Sequence, residues 1–186
     1  MRVIAGKYRS RKLFEIKNEF TRPTMDRNRE MVFNVLGQYF SSGVALDLFS
    51  GTGSMGIEAI SRGVDFCYLV DKNSLAIETI KANVKSLKIE NCEVFYGDYE
   101  RFFLEHKNVK FDLVFLDPPY SLDVCETLLA FLDENDFLND EALVLVEVLK
   151  GAHETKYSEN YELLKIKPST IMRFEFYKYR RKNKWR

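Results

Sequence analysis

The chain has 186 residues, 46% of them apolar, with fifteen Phe, ten Tyr and no net charge, which fits one globular domain with a full core and at most a small appendage. Three scattered cysteines without a C-x-x-C pair, and only two histidines, speak against a disulfide framework or a Cys/His metal site. No apolar run approaches the length of a signal-peptide core or a membrane span, so a reducing, cytoplasmic setting is expected, with no membrane and no metal.

In chain order, residues 3–16 are expected to form two short strands around a Gly-containing turn, a basic N-terminal hairpin or arm within residues 1–20. Thr24 is placed to cap a helix that carries Val32, Val35, Leu36, Tyr39 and Phe40 at i, i+3, i+4, i+7 and i+8. Residues 44–49 (VALDLF) read as a buried strand, followed by a glycine turn and a helix ending near Arg62-Gly63. Next come a strand at 66–71, a helix from Asn73 to about Leu87 with Leu75, Ile80, Val84 and Leu87 inward, and a strand at 92–98. A short helix through Phe103, a strand at 111–117, a helix from Val124 to Leu132 and a strand at 142–148 follow. Five apolar strands alternating with helices require a parallel sheet covered on both faces. Stretches 161–167 and 171–179, either side of Pro168, alternate with strand period and are expected as an antiparallel pair at one edge. The fold class is therefore α/β, a mostly parallel seven-stranded sheet, with residues 21–186 as a single domain.

The zero net charge conceals an asymmetry. Residues 1–12 hold Arg2, Lys7, Arg9, Arg11 and Lys12 and no acid, and residues 178–186 hold Lys178, Arg180, Arg181, Lys182, Lys184 and Arg186 and no acid. Between them stand seventeen Lys and Arg against twenty-eight Asp and Glu. Basic ends interleaved with Tyr8, Tyr177, Tyr179 and Trp185 are expected to grip a polyanion, cations on phosphates and rings as stacking faces. Solvated tails are the plain alternative.

The segment DLFSGTGSMGIEA (47–59) sets Gly51, Gly53 and Gly56 in a G-x-G-x-x-G pattern between a strand and a helix, where small residues let backbone approach a ligand. Asp47 lies inside the apolar strand and must be hydrogen-bonded, either to the loop's own amides or to a cofactor. Asp71, twenty residues after Gly51, can accept the ribose hydroxyls of an adenosine, and Asp98, with Tyr99 beside it, stands where the adenine rim would lie. Asp47, Asp71, Asp98 and Asp117 end four successive strands, so four acids share the carboxyl edge, the ligand crevice of open parallel sheets.

DLVFLDPPY (112–120) closes the fourth strand with Asp117, Pro118, Pro119 and Tyr120. Each proline fixes its φ and lacks an N–H, leaving a stiff turn rich in unpaired carbonyls. A nicotinamide dinucleotide would fit the glycines and Asp71 but gives this loop no task. S-adenosylmethionine accounts for both, since it has an adenosine, no phosphates, and a sulfonium compatible with an acidic crevice. The chain is similar to class I S-adenosylmethionine-dependent methyltransferases of the amino-methylating kind, in which such a loop ends the fourth strand. If the Asp117 carboxylate and the Pro118 carbonyl accept the two hydrogens of an exocyclic amine, its lone pair turns toward the methyl donor, and Tyr120 stacks on the flipped base.

AGKYRSRKL, TRPTMDRNREMVFNVL, LDLFSGTGSMGIEAISRG and FDLVFLDPPY, in this order across residues 5–120, resemble the bacterial RsmD family. That resemblance implies a Rossmann-like class I fold and methylation of guanine N2 in 16S ribosomal RNA, on the small subunit, by a monomer. It further implies that Arg22, Pro23 and Thr24 lie beside the methionine end of the cofactor, with Arg22 on its carboxylate. Arg27 and Arg29 would face RNA or solvent. Asp71 stands where the family usually has Glu, Val64 where Ala is common and Tyr120 where some members have Phe. Two other readings stay open on the residues alone: a DNA adenine-N6 methyltransferase, and a silent RNA-binding assembly factor on the same fold.

Overall fold

Strands with buried apolar residues on both faces build the centre of the molecule, and helices with one apolar stripe cover it. The structure, a computed structural model, describes residues 1–16, 26–118, 122–151 and 157–182. Among the described residues five helices run over Asp26–Leu36 (α1), Ser54–Ser61 (α2), Ser74–Leu87 (α3), Tyr99–Glu105 (α4) and Leu122–Glu134 (α5). The strands are Val44–Asp47 (β1), Phe66–Asp71 (β2), Cys92–Tyr96 (β3), Phe111–Leu116 (β4), Leu138–Leu149 (β5), Tyr161–Pro168 (β6) and Met172–Tyr179 (β7). Among the described residues they form one seven-stranded sheet in the order β3-β2-β1-β4-β5-β7-β6. Strands β1 to β5 are mutually parallel, and β7 runs antiparallel to both β5 and β6. This is the expected mostly parallel sheet with an antiparallel edge pair.

Because both faces of the parallel part are buried, its strands are apolar on both sides. One face packs Ala45, Leu69, Phe115, Leu145, Phe174 and Phe176 against Phe33 of α1, Ile57 of α2 and Ile80 of α3. The other packs Leu46, Val70, Val114, Val144 and Tyr177 against Phe102 and Phe103 of α4 and Leu128 of α5. The strand order reverses direction between β1 and β4, which opens a crevice at their carboxyl ends.

Several local expectations need correction. Gly37 has φ +139° and ends α1, so the helical stripe stops at Leu36; Tyr39 is exposed and Phe40 lies in the connection beyond. Leu75 is exposed rather than inward, because Asn73 caps α3 by accepting from Leu75 N (2.9 Å) and Ala76 N, which puts Leu75 on the outer side of the first turn. Residues 1–16 make no pair of strands: a single antiparallel bridge, Arg2 to Lys12, closes a hairpin-like loop. Its Val3, Tyr8, Leu13 and Ile16 are buried.

The loop is fastened to α2 and α3 by buried polar groups. Glu58 of α2 is inaccessible to solvent and accepts from Ile4 N (2.8 Å), Ala5 N (3.0 Å) and Arg62 Nε (2.8 Å), with Arg29 Nε 3.4 Å away. Arg29 is fully buried in this cluster, also paired with Asp26 at 2.8 Å, so it faces neither RNA nor solvent; Arg27 is exposed. No helix among the described residues is long and apolar enough to cross a membrane.

Candidate active site

The glycine loop between β1 and α2 forms the floor of the site. Its shape follows from φ values of +54° at Gly51 and +76° at Gly53, a region costly for side-chain-bearing residues. Gly51 N donates to Asp71 Oδ2 (2.8 Å), Gly53 N to the Ser50 carbonyl (2.7 Å), and the Ser50 hydroxyl to the Asp47 carbonyl (2.6 Å). A Cβ on Gly56 would lie 2.3 Å from Leu69 Cδ2 and 2.8 Å from Cys67 Sγ, so glycine there is what lets α2 lie directly on β2. At Gly51 an added Cβ would meet nothing within 4 Å, and the loop surface is open toward the crevice. Buried Asn83 of α3 donates to the Thr52 carbonyl (3.0 Å) while exchanging bonds with Phe14 N and O (2.7 and 3.2 Å), locking loop and N-terminal segment together.

Of the four acids expected to end strands, Asp47 and Asp71 do, Asp117 follows β4 directly and Asp98 lies beyond β3 as the cap of α4, and the four have distinct roles. Asp47 is buried and accepts from Gly56 N (2.9 Å), so it holds the start of α2. Burial pushes its carboxyl up to about 7, the Gly56 N–H works against that, and the charges of Asp117 and Asp71 add to the rise. Asp71 uses both oxygens, one for Gly51 N and the other for Asn73 N (2.8 Å), and remains partly exposed at the rim. Asp98 is exposed and caps α4 through Arg101 N (2.9 Å). Tyr99, next to it, packs its ring edge-on against Phe49, 6.4 Å between centroids.

Asp117 follows β4 directly and stands in one cleft with Asp47, Phe49, Ser50, Gly51, Phe115, Leu145, Glu147 and Phe174. The sheet explains this grouping. Asp47 pairs with Phe115, Phe115 with Leu145, and Glu147 with Phe174, and residues two apart on a strand share a face. Asp117 and Glu147 come directly after the paired Leu116 and Val146. Loss of solvation raises both carboxyls, Glu147 far more because the Asp117 charge adds to it. The pair therefore holds a proton between its two carboxyls, Glu147 being the one raised further. Asp117 itself keeps an exposed flank toward the cleft, and Pro118 beside it is buried.

Of the remaining predicted residues, Arg22, Thr24, Pro119, Tyr120 and Trp185 lie outside the described residues. The C-terminal cations are held by the body: Arg180 pairs with Glu141 (3.2 Å) and Glu162 (3.1 Å), Arg181 with Asp136 (2.7 Å) and Lys182 with Glu159 (3.2 Å). In the N-terminal loop, Lys7, Arg9 and Lys12 are exposed, Arg2 pairs with Asp26 at 3.7 Å and Arg11 donates to the Ser86 carbonyl (3.3 Å). Tyr8, Tyr177 and Tyr179 are buried, with Tyr177 OH on Glu175 (2.6 Å) and Tyr179 OH on Asp133 (2.7 Å), so these rings are core residues and not stacking faces. Sequence reasoning missed Glu147 and Asn83. Glu147 was visible as a lone acid within an apolar strand run, the same signal that singled out Asp47; Asn83 had none.

The family described as Conserved hypothetical protein 95 matches residues 1–178. "Ribosomal RNA small subunit methyltransferase D" of Haemophilus influenzae is 36% identical over 180 residues, covering 95% of this chain and 93% of its own. The Escherichia coli protein of the same name is 35% identical over 147 residues, covering 79% of this chain and 74% of its own. Among solved structures, a candidate methyltransferase of Escherichia coli, yhhF, superposes with a TM-score of 0.86 at 30% identity, covering 97% of this chain and 98% of its own. The fold is that of Rossmann-like class I methyltransferases.

Proposed function

The chain belongs to the RsmD family, described as Conserved hypothetical protein 95, and on that premise we propose that it is an S-adenosylmethionine-dependent methyltransferase acting on the exocyclic N2 amine of a guanine in small-subunit ribosomal RNA. Its relatives named as ribosomal RNA small subunit methyltransferases support the reaction and the polymer. The observation that carries the reading is the position of Asp117, first residue after β4, in the same cleft as Gly51 and on the same sheet face as Asp47.

The residues present fit the cofactor. Gly51 offers backbone open to a ligand, and the charges of Asp117 and Asp71 help to raise the Asp47 carboxyl, which a cation would relieve. Asp71 would take the ribose hydroxyls with its remaining lone pairs, Asp98 and Tyr99 would border the adenine, and Arg22 and Thr24 would lie at the methionine end. When bound, the cofactor supplies an activated methyl group on a sulfonium.

The chain's own part is alignment. Asp117 and the Pro118 carbonyl accept the two amine hydrogens, which localises the nitrogen lone pair and directs it along the line of transfer. As positive charge develops on nitrogen, the Asp117 carboxylate stabilises it and stands ready to take the proton that the product amine releases. Pro119 completes the stiff turn and Tyr120 supplies the stacking face for a base swung out of its helix. Lys7, Arg9 and Lys12 of the arm, with Arg2 and Arg11, would contact phosphates, and Arg180, Arg181 and Lys182 would do so only by giving up carboxylate partners. The protein acts in this reading as a cytoplasmic monomer on the 30S particle, its arm (1–20) appended to one domain (21–186).

The test is to offer unmodified small subunits, bare ribosomal RNA and DNA with methyl-labelled cofactor and to identify the nucleoside by mass spectrometry. N2-methylguanosine from subunits or their RNA is expected; N6-methyladenine in DNA, or no label anywhere, would refute the proposal.

A further inference from the structure

Resting on the reading above, we propose that Glu147 selects the base: its carboxyl accepts the ring N1–H of guanine while Asp117 beside it holds the exocyclic amine. Asp117 and Glu147 come directly after the paired Leu116 and Val146 on parallel neighbours, which brings the two residues side by side at the mouth of one cleft. Both line the cleft, close enough that the Asp117 charge raises the Glu147 carboxyl. Guanine presents the N1–H and the amine from adjacent ring positions on one edge. Two acceptors side by side match that edge.

The proton inventory agrees with the match. Glu147, raised by lost solvation and the Asp117 charge, shares a proton with Asp117 through one of its oxygens. Its second oxygen remains as an acceptor with no hydrogen of its own. In adenine, or in 2-aminopurine, the ring nitrogen next to the amine carries a lone pair, which would face that oxygen. Phe115, Leu145 and Phe174 line the same cleft, so an acceptor left without a donor there is poorly compensated by water. The loop that grips the amine is common to guanine and adenine chemistry; Glu147 supplies the distinction the loop lacks.

The experiment uses the full chain and small subunits reconstituted from RNA carrying either guanosine or 2-aminopurine riboside at the modified nucleotide. Both bases offer the amine to be methylated, and only guanosine offers N1–H. Wild type is expected to favour guanosine in kcat/KM by about 10- to 100-fold. Glu147→Leu should bring that ratio close to one, mainly by losing activity on guanosine. Glu147→Gln, whose amide can donate to Asp117 and accept from N1–H, should keep it. Binding of the two RNAs measured without cofactor should follow the same ratios. A residue that only steadied Asp117 would lower both substrates alike, so an unchanged ratio in Glu147→Leu overturns the proposal. A wild-type ratio near one overturns it without any variant, which covers a leucine variant that fails to fold. Absence of wild-type turnover on guanosine subunits would bring down the functional reading itself, and this assignment with it.

Discussion

Replacing Asp47 by Asn tests the electrostatics of the site through stability alone. In the native state burial lifts the Asp47 carboxyl from 3.8 to about 7. Folding thus takes up a proton between those values. The stabilising contribution of the protonated acid is complete below about pH 4 and is lost as pH rises through 7. About three pKa units correspond to about 4 kcal/mol across that window. The amide introduced by Asp47→Asn can still accept from Gly56 N, at a cost of about 1–2 kcal/mol for its unmatched hydrogens. The variant should therefore be slightly less stable than wild type at pH 4.5 and more stable at pH 8. For a domain of this size the difference in Tm between the two proteins should swing by on the order of 10 °C. Thermal melts at constant ionic strength from pH 4.5 to 8 measure it. Parallel curves for the two proteins would refute the assignment of a buried, proton-binding carboxyl at this position.

Asp117→Ala should leave cofactor affinity nearly intact and lower turnover by roughly 10²-fold or more, read from isothermal titration beside a labelled-methyl assay; near-normal turnover would remove Asp117 from the chemistry. Gly56→Ala should cost about 1–3 kcal/mol in denaturant melts, since the added methyl meets Leu69 and Cys67 at 2.3 and 2.8 Å. Gly51→Ala, with open space around its Cβ but φ +54°, should cost only about 1–2 kcal/mol while weakening cofactor binding by a larger factor. Removing Lys7, Arg9 and Lys12 together should reduce the slope of log affinity for RNA against log salt by about 2, and Arg180→Ala by less because Glu141 and Glu162 already hold that side chain.

Periodicity made most of the sheet legible. Phe66–Asp71 was bounded correctly because a run apolar on both faces, ended by an acid and flanked by helices, has few other stable solutions. The glycine loop and the four acids near the strand ends were legible for the same reason, since parallel topology sends every strand's carboxyl end to one edge. Helix ends were less so: Tyr39 and Phe40 continue the stripe of α1 in sequence, yet Gly37 leaves the helical region first. Basic termini read as free arms because charge counts carry no partners, whereas Arg180, Arg181 and Lys182 find carboxylates from other parts of the chain.

Local sequence thus determined which residues could be strands, where the chain must turn, and that four acids gather at one edge. Only the tertiary structure decided what each acid does. Whether a carboxylate caps a helix like Asp98, holds backbone amides like Asp47 and Asp71, or shares a proton across strands like Asp117 and Glu147 depends on neighbours many residues away. Glu147 stands thirty positions beyond its partner, and the pairing of β4 with β5, a long-range contact that no local pattern encodes, brings the two together.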